Sequence, residues 1–240
     1  EYYEKYAIRR YGFHGTSHFY VTRRFAELVG RPVEELNLIS CHIGNGASIT
    51  AVRGGVSVDT SMGYTPLEGL MMGTRCGDVD GGAFLKIAEI ENMTINDMNM
   101  MLNKKSGILG IYGKSSDLRD VEDDILKGDD KAELAFNMYN YRIKKYIGSY
   151  AAVLGRVDGI IFTGGVGENA DLTRGPVCNN MEYMGVLLDE EKNIATIRGK
   201  EGFIHADDSK VKIAVIPTNE ELVIALETEN TIKKLTYQEP

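Results

Sequence analysis

The chain has 240 residues, of which 43% are hydrophobic and 27 are glycine, a composition typical of a globular α/β protein with one large or two small domains. Its formal net charge of −8 predicts neither nucleic acid nor an anionic membrane as a partner, and no apolar run approaches the ~20 residues of a membrane span. Its three cysteines, at positions 41, 76 and 178, form no CxxC pair, which favours a reducing compartment and a cytoplasmic protein.

The first motif in the chain places a histidine just before a helix. Thr16 or Ser17 is the predicted N-cap of a helix that runs to about residue 29, where Gly30 ends it. His14 then precedes a helix N-terminus, where unpaired backbone N–H groups favour anions. Together with the two arginines that come before it, His14 is therefore expected to contribute to an anion-binding surface.

His14 and His18 also stand four residues apart, which is the spacing of a zinc-binding pair on one helix face. Gly15 and the predicted cap lie between them, and this disfavours a shared helical face. The alternative interpretation of His18 is a buried residue in the first turn of the helix. A zinc-dependent hydrolase is kept as an alternative hypothesis.

Three strands are predicted next, at residues 37–43, 47–53 and 56–60. The first two are joined by a turn in which two glycines flank an asparagine, Gly44-Asn45-Gly46. Asn-Gly is a standard hairpin turn, and taken alone the segment favours a plain hairpin. The same glycines would also let a bound anion approach bare main-chain N–H groups. Both interpretations stay open at this point.

Residues 60–78 form a long glycine-punctuated segment with little periodicity, and loops of this length are often functional. The segment contains one arginine, Arg75, between small residues. Arg75 either lies in solvent or projects into a cleft, where its guanidinium could pair with a phosphate in a two-pronged fashion.

Helices are predicted at about 80–91, 94–104, 117–127 and 131–154, with Ser116 or Asp117 capping the third. A buried strand at 159–163 then runs into a glycine-rich turn, Gly164–Asn169, that opens a helix. Nucleotides commonly bind at this kind of corner, beyond the carboxyl end of a strand. The segment has neither the GxGxxG nor the Walker spacing, and its glycines could serve turn geometry alone.

A last buried strand is predicted at 211–216, followed by a helix to about residue 226. Thr218 and Glu221 have the spacing of a capping box, which assigns Glu221 a structural role. Glu220 is left at the carboxyl end of the strand. It is either a solvated acid or a ligand for Mg²⁺, which takes single carboxylates directly or through water.

Two glycine corners after buried strands, an arginine, a histidine and a carboxylate are the set that phosphoryl transfer requires. At this point the chain closely resembles the acetate kinase family, whose order of motifs it follows over nearly its whole length. The resemblance implies an α/β lobe of the actin, Hsp70 and sugar-kinase type (ribonuclease H-like), with a mixed sheet flanked by helices. The segments that carry it are residues 10–18, 42–48, 73–78, 115–119, 164–169 and 217–221.

The resemblance also implies a reaction and site roles. ATP and acetate would give ADP and acetyl phosphate with Mg²⁺ or Mn²⁺, Glu220 would serve the metal, and His14 and Arg75 would stabilise the phosphoryl group in transit. Leu118 stands where an aromatic residue is common in the family. The implied contacts to ATP are His42, Ile43, Gly44, Asn45 and Gly46 at the phosphates, and Asp117, Leu118, Arg119, Gly165, Val166, Gly167, Glu168 and Asn169 around the adenosine.

The resemblance further implies that residues 1–240 are the carboxy-terminal nucleotide-binding lobe of a homodimeric enzyme. An amino-terminal lobe would supply another phosphate loop, a catalytic aspartate and an arginine for the carboxylate substrate, and we expect it to be absent from this chain. Residues 222–235 would then expose an apolar stripe that packs on that lobe. Two further hypotheses stay open, a non-catalytic nucleotide-binding module and a propionate kinase.

Overall fold

The computed structural model describes residues 1–236, which fold around a six-stranded sheet in the order β3-β2-β1-β4-β6-β5. β1 runs antiparallel to β2 and parallel to β4, and β4 runs parallel to β6, so the predicted mixed sheet is confirmed. The strands are β1 Asn37–Ile43, β2 Ala47–Arg53, β3 Val56–Thr60, β4 Gly159–Thr163, β5 Gly202–Phe203 and β6 Lys212–Val215.

Helices cover both faces of this sheet. The four helices predicted between residues 80 and 154 are confirmed to within about two residues at each end, whereas α5, α9 and α10 carry no signal that we recognised in the sequence. The helices are α1 Tyr2–Tyr6, α2 Gly15–Val29, α3 Gly81–Ile90, α4 Ile95–Lys104, α5 Gly107–Tyr112, α6 Leu118–Ile125, α7 Asp130–Leu154, α8 Gly164–Asn169, α9 Asp171–Cys178, α10 Glu190–Ala195 and α11 Glu220–Thr236.

The two central strands, β1 and β4, are largely buried on both faces, as the apolar runs within them predict. On one face α7 contributes Ile143 and Ile147 to the larger core, which also contains Ile39. On the other face α2 contributes Val21 and Phe25 to a second core. Packing from both sides holds the carboxyl ends of β1 and β4 in fixed positions, and the glycine segments begin at those ends.

The predicted cap of α2 is wrong. The helix begins at Gly15, and His14 is its N-cap residue, with a left-handed φ of 58° and no side-chain capping bond. Ser17 is instead buried, and its hydroxyl lies 2.8 Å from Nδ1 of His42. The hydroxyl of Ser17 could bond either to the open end of α2 or to His42 on β1. Ser17 is already the third residue of the helix, beyond the N-cap position, and its hydroxyl bonds to His42.

The predicted capping box at the last helix is also wrong. α11 begins at Glu220, and the N–H of Leu222 donates to Oδ1 of Asn219 at 3.0 Å. The buried hydroxyl of Thr218 has no hydrogen-bond partner within residues 1–236. Asparagine is as good a capping residue as threonine, and here it stands one position closer to the helix.

Exposed apolar side chains are present in the described part of α11, but they do not form the single stripe that was predicted, because Leu222 and Leu226 share one face of the helix and Ile224 lies on the opposite face. Leu222, Ile224 and Leu226 are exposed, while Val223 is buried and the helix packs against α2. The side chain of Leu235, which the prediction included, lies outside the described residues. Among the helices described, none is long and apolar enough to cross a membrane.

Candidate functional site

The two glycine segments lie side by side at one edge of the sheet. β1 and β4 are parallel neighbours, with His42 opposite Thr163, so both strands end at the same edge. A Cβ atom added to Gly44 would lie 3.9 Å from the backbone nitrogen of Gly165. The hairpin turn and the second glycine corner therefore form one continuous main-chain surface.

The second glycine segment, which follows β4, has a different conformation from the predicted one. The segment Gly164–Asn169 is itself a short helix, α8, where a turn leading into a helix was predicted. Gly164 makes this possible with a φ of 78°, and a Cβ on it would lie 2.8 Å from the carbonyl oxygen of Ile43. Only glycine meets both conditions without displacing the end of β1.

Arg75 and His14 flank the hairpin turn. A Cβ on Gly46 would lie 3.3 Å from Nη1 of Arg75 and 3.8 Å from Nε2 of His14. Arg75 is half-buried, and within residues 1–236 it pairs with no carboxylate; its Nη1 contacts the sulfur of Met72 at 3.8 Å. A guanidinium that is partly removed from water and unpaired is available to an anion.

The loop that carries Arg75 is braced by the connection between α4 and α5. The N–H of Ser106 donates to the carbonyl of Thr74 at 3.0 Å, and the N–H of Cys76 donates to the carbonyl of Leu102 at 3.0 Å. Gly107, which starts α5, has a φ of 64° and packs against the carbonyl of Met72. These bonds hold the arginine in place although its own segment lacks regular structure.

A hydrogen-bonded chain of two serines and His18 contacts Nδ1 of His14. Nδ1 of His14 lies 2.9 Å from the hydroxyl of Ser48, which also lies 2.8 Å from Nε2 of His18; Nδ1 of His18 lies 2.8 Å from the hydroxyl of Ser40. One hydroxyl carries one proton, so Ser48 donates to one ring and accepts from the other. When Ser48 donates to His14, the proton of that ring sits on Nε2, the nitrogen that faces Gly46.

This arrangement gives the zinc hypothesis no support. Both ring nitrogens of His18 are engaged by serine hydroxyls, so neither is free to bind a metal. Within the part of the chain that the structure describes, no group of three or more His, Cys, Asp or Glu side chains could hold a metal ion.

The three imidazoles are held neutral. Burial lowers the pKa of His14, and the nearby charge of Arg75 lowers it further. Burial, with a smaller contribution from His14, lowers the pKa of His42 to about 4, and burial lowers that of His18 to about 3. His14 also holds a left-handed backbone conformation, which is uncommon for a residue with a side chain and is found mostly at turns and functional positions.

A cleft of about 710 Å³ extends from the two glycine segments to α6, a volume in the range of small-molecule sites. Asp117 caps α6 by accepting from the N–H of Arg119 at 3.0 Å, and the two side chains form an ion pair at 2.6 Å. Of the predicted ATP contacts, the cleft is lined by Gly44, Asn45, Asp117, Leu118, Arg119, Gly165, Val166 and Asn169.

The remaining predicted contacts do not line this cleft. Ile43 is in the core, and the ring of His42 stacks on that of His14 with centroids 4.1 Å apart. The carboxylate of Glu168 accepts from the N–H of Gly164 at 2.9 Å and from that of Thr218 at 3.1 Å. Glu168 thus ties the corner after β4 to the segment after β6. The other two, Gly46 and Gly167, lie against Arg75 and the end of β4 respectively.

Glu220 is the exposed first residue of α11, and it does not line the cleft. It follows β6, whose carboxyl end lies at the same sheet edge as the glycine segments because β6 is parallel to β4. Nucleotide-bound Mg²⁺ takes one or two carboxylates together with phosphate oxygens and water. One exposed carboxylate at this edge therefore fits a metal that arrives with a nucleotide.

The sequence reasoning missed Ser48 and seven residues that line the cleft, which are Gly73, Ile108, Ser116, Glu122, Tyr139, Ala170 and Asp171. Ser48 supports His14, and Gly73 lines the cleft so closely that a Cβ would meet Oδ1 of Asn45 at 2.4 Å. Glu122 and Tyr139 line the cleft from two helices. The glycine-rich loop at residues 60–78, which contains Gly73, was predicted to be functional. Helical spacing, in contrast, does not show that Glu122 and Tyr139 face a cavity.

Comparison with known proteins shows what the chain is similar to. The Acetokinase family model matches residues 1–226. The chain is 60% identical to the acetate kinase of Dictyoglomus turgidum and 57% identical to that of Thermotoga maritima, in each case over 98% of the chain. It spans 59% of the length of each of these curated relatives.

Two solved structures share its fold. The crystal structure of Porphyromonas gingivalis acetate kinase superposes with a TM-score of 0.93 at 50% identity, covering 96% of this chain and 57% of that one. A propionate kinase from Francisella tularensis superposes with a TM-score of 0.89 at 43% identity, covering 96% of this chain and 58% of that one. The predicted α/β fold of the actin and sugar-kinase type is thereby confirmed.

Proposed function

The chain belongs to the acetokinase family, and we propose that it is the carboxy-terminal, nucleotide-binding lobe of an acetate kinase. The proposed reaction transfers the γ-phosphoryl group of ATP to acetate and gives ADP and acetyl phosphate. One observation carries the proposal. Two adjoining glycine segments lie beside an unpaired arginine and a neutral histidine, at one end of a cleft of nucleotide size.

In the proposed step an acetate oxygen attacks the γ-phosphorus. The new P–O bond forms while the bond to the oxygen that bridges the β- and γ-phosphorus breaks, and the electron pair of that bond stays on ADP. Negative charge spreads over the equatorial oxygens of the group in transit. The guanidinium of Arg75 and the Nε2–H of His14 supply donors of hydrogen bonds on the side where Gly46 leaves room.

His14 contributes as a neutral donor in this account. In the proposed arrangement Ser48 donates to His14 and accepts from His18, which places the His14 proton on Nε2, and burial lowers the pKa of the ring. Glycine segments contribute main-chain N–H groups to the α- and β-phosphates. Glu220 would hold Mg²⁺ or Mn²⁺, which neutralises phosphate charge when bound. The chain's own groups then meet a substrate with reduced net charge.

Residues for the carboxylate acceptor are proposed to lie outside residues 1–240, on an amino-terminal lobe. Acetate is the proposed acceptor because the relatives of highest identity reported above are acetate kinases. Propionate is the alternative, supported by the name of one structural neighbour at lower identity. The family resemblance also leads us to propose a cytoplasmic homodimer.

Two measurements test the proposal. The complete enzyme, supplied with ATP and acetate, is expected to form acetyl phosphate that hydroxylamine traps, with a higher kcat/KM for acetate than for propionate. Calorimetric titration of the 240-residue chain with ADP or ATP is expected to show binding. Nucleotide binding without acetyl phosphate formation by the complete protein would support the module hypothesis instead, and a chain that binds no nucleotide would overturn both.

A further inference from the structure

Two polar groups in the cleft have no hydrogen-bond partner among the described residues. Tyr139, on α7, is 1% exposed, and its hydroxyl has no hydrogen-bond partner within residues 1–236. Oε1 of Glu122, on α6, is buried and likewise without a partner among the described residues. Both side chains line the cleft. Buried polar groups are nearly always hydrogen-bonded, so an unpaired donor and an unpaired acceptor in one cavity point to a ligand.

The charges along the cleft decide which part of a nucleotide reaches them. Burial raises the pKa of Glu122, and the nearby carboxylates of Asp171, Asp123 and Asp117 raise it further. Asp117, Glu122 and Asp171 line the cleft here together with one cation, Arg119, so this end carries more acidic than basic side chains. The other end meets the hairpin turn, next to Arg75. Phosphates are repelled from the acidic end and attracted to the cationic end. The nucleoside is therefore the part that lies against Glu122 and Tyr139.

The hydrogen-bonding chemistry of the two groups indicates which part of the nucleoside they contact. An oxygen of an unpaired carboxylate accepts hydrogen bonds, and a phenol hydroxyl can donate one. Adenine carries an exocyclic amino group, which donates, beside ring nitrogens, which accept. Apolar side chains of Ile108, Leu118 and Val166 line the same cleft and suit the faces of a flat ring.

We infer that Glu122 and Tyr139 read the base of the nucleotide, Glu122 by accepting from the exocyclic amino group and Tyr139 by donating to a ring nitrogen. The inference rests on the proposed function, because it deepens the nucleotide site of that proposal. Glu122 and Tyr139 are thus specificity-determining residues that no motif of the sequence marks.

The first test is Tyr139→Phe, which removes only the hydroxyl. Loss of a hydrogen bond to the ligand is expected to weaken ADP binding about tenfold in a calorimetric titration of the chain. The free chain is expected to unfold at the same or a higher urea concentration, because the deleted hydroxyl has no protein partner to lose. Tyr150→Phe, on the same helix but away from this cleft, is the control. Unchanged ADP affinity in Tyr139→Phe would overturn the role of Tyr139.

The second test pairs Glu122→Ala with a nucleotide lacking the amino group, purine riboside 5′-diphosphate. The wild-type chain is expected to bind ADP about tenfold more tightly than this analogue, and Glu122→Ala is expected to bind the two equally. Asp123→Ala, which removes the neighbouring exposed carboxylate, is expected to keep the wild-type preference. A Glu122→Ala chain that still prefers ADP would overturn the inference.

A third ligand separates base from ribose. If Glu122 bound a ribose hydroxyl instead, 2′-deoxy- or 3′-deoxy-ADP would lose affinity in the wild type but not in Glu122→Ala, and that result would also overturn the inference. Failure of the inference is distinct from failure of the proposed function. A wild-type chain that binds ADP while both variants behave like it refutes only the base contacts, and a wild-type chain that binds no ADP refutes the nucleotide site itself.

Discussion

The two ends of the cleft are built in different ways. The phosphate end consists of main chain at the ends of β1 and β4, and Arg75 and His14 stand beside it. The base end consists of side chains from α6 and α7, among them Glu122 and Tyr139. Strand register places the first end, and helix packing places the second. The comparison teaches that main-chain groups set by strand pairing and side chains set by helix packing can line two ends of one cleft.

Charge separates the two ends as well. The proposed phosphate end presents a guanidinium and uncharged imidazoles, whereas the proposed base end presents the carboxylates of Asp117, Glu122 and Asp171 and one guanidinium, Arg119, which pairs with Asp117. A nucleotide has one highly charged part and one neutral part, so this polarity favours one orientation in the cleft. The kinetic and binding predictions below alter one end and ask whether the other end responds.

The largest effect is expected from Arg75→Ala, which removes the cation at the phosphate end. In the complete enzyme we expect kcat to fall by about 10²–10³, because a donor that stabilises charge in the transition state is lost. The KM for ATP is expected to rise far less, since the base end is untouched. Steady-state kinetics measure both values, and a variant with nearly wild-type kcat would remove Arg75 from the mechanism.

The buried histidine behind the phosphate end is expected to make the chain acid-sensitive. The pKa of His18 is lowered to about 3 from 6.5, so between these values the unfolded chain binds the extra proton. The contribution of His18 to the free energy of unfolding should therefore fall as the pH falls from 6.5 towards 5, by up to about 1.4 kcal/mol per pH unit, and His42, whose pKa is lowered to about 4, adds a similar contribution.

Urea unfolding at several pH values between 6.5 and 5 measures this slope before most carboxylates titrate. His18→Gln keeps a polar side chain but cannot titrate in this range, and its slope is expected to be shallower. An equal slope in the variant would contradict the neutral, buried state of His18.

Gly46→Ala is expected to weaken ATP binding about tenfold while leaving the fold intact. The added methyl would lie 3.3 Å from Nη1 of Arg75, in space that we assign to a phosphate, and the backbone of Gly46 is not left-handed. Adenosine binding should not change, because adenosine has no phosphates. Titrations with ATP and adenosine measure both effects.

Gly148→Ala is the matched control for that variant. Gly148 lies inside α7, and a Cβ there meets nothing within 4 Å. This substitution is expected to stabilise the helix by about 0.5–1 kcal/mol and to leave ATP affinity unchanged. If Gly46→Ala lost equal affinity for ATP and for adenosine, the added methyl group would not act through phosphate binding, and the assignment of the phosphate end would be contradicted.

The smallest effect is expected from Arg119→Ala at the mouth of the base end. Arg119 is exposed and pairs with Asp117, and exposed pairs contribute about 0–1 kcal/mol. We expect a rise of a few-fold in the KM for ATP and little change in kcat, the reverse of Arg75→Ala. A large fall in kcat would mean that the two ends are coupled.

The difference between the ends also explains how far the sequence could be interpreted. The strands at 37–43, 47–53, 56–60 and 159–163 agree with the structure residue by residue, because apolar runs and flanking glycines mark them locally. Two parallel neighbours place their ends at one edge, so the meeting of Gly44 with Gly165 follows once the strands pair. The phosphate end was therefore largely predictable.

The remaining site residues are positioned by contacts between segments that are distant in the sequence, and local patterns do not show such contacts. The position of Arg75 comes from bonds to the end of α4 and to the α4–α5 connection, about thirty residues away in the sequence. No periodic pattern in the loop of Arg75 predicts these bonds. Tyr139 sits on a helix among other buried residues, and helical spacing does not show that it lines the cleft. Capping was misjudged at Thr16, Ser17 and Thr218 because neighbouring residues, His14 and Asn219, occupy the cap positions.

The central claim is that the two glycine segments hold the phosphates with Arg75 and His14 beside the terminal one. A crystal structure of the chain with Mg²⁺ and a non-hydrolysable ATP analogue tests it most directly. We predict phosphate oxygens within about 3 Å of main-chain nitrogens of both segments, with the γ-phosphate next to Arg75 and the base towards Glu122. Phosphates bound at the acidic end, or an Arg75 side chain turned away from the nucleotide, would contradict the account.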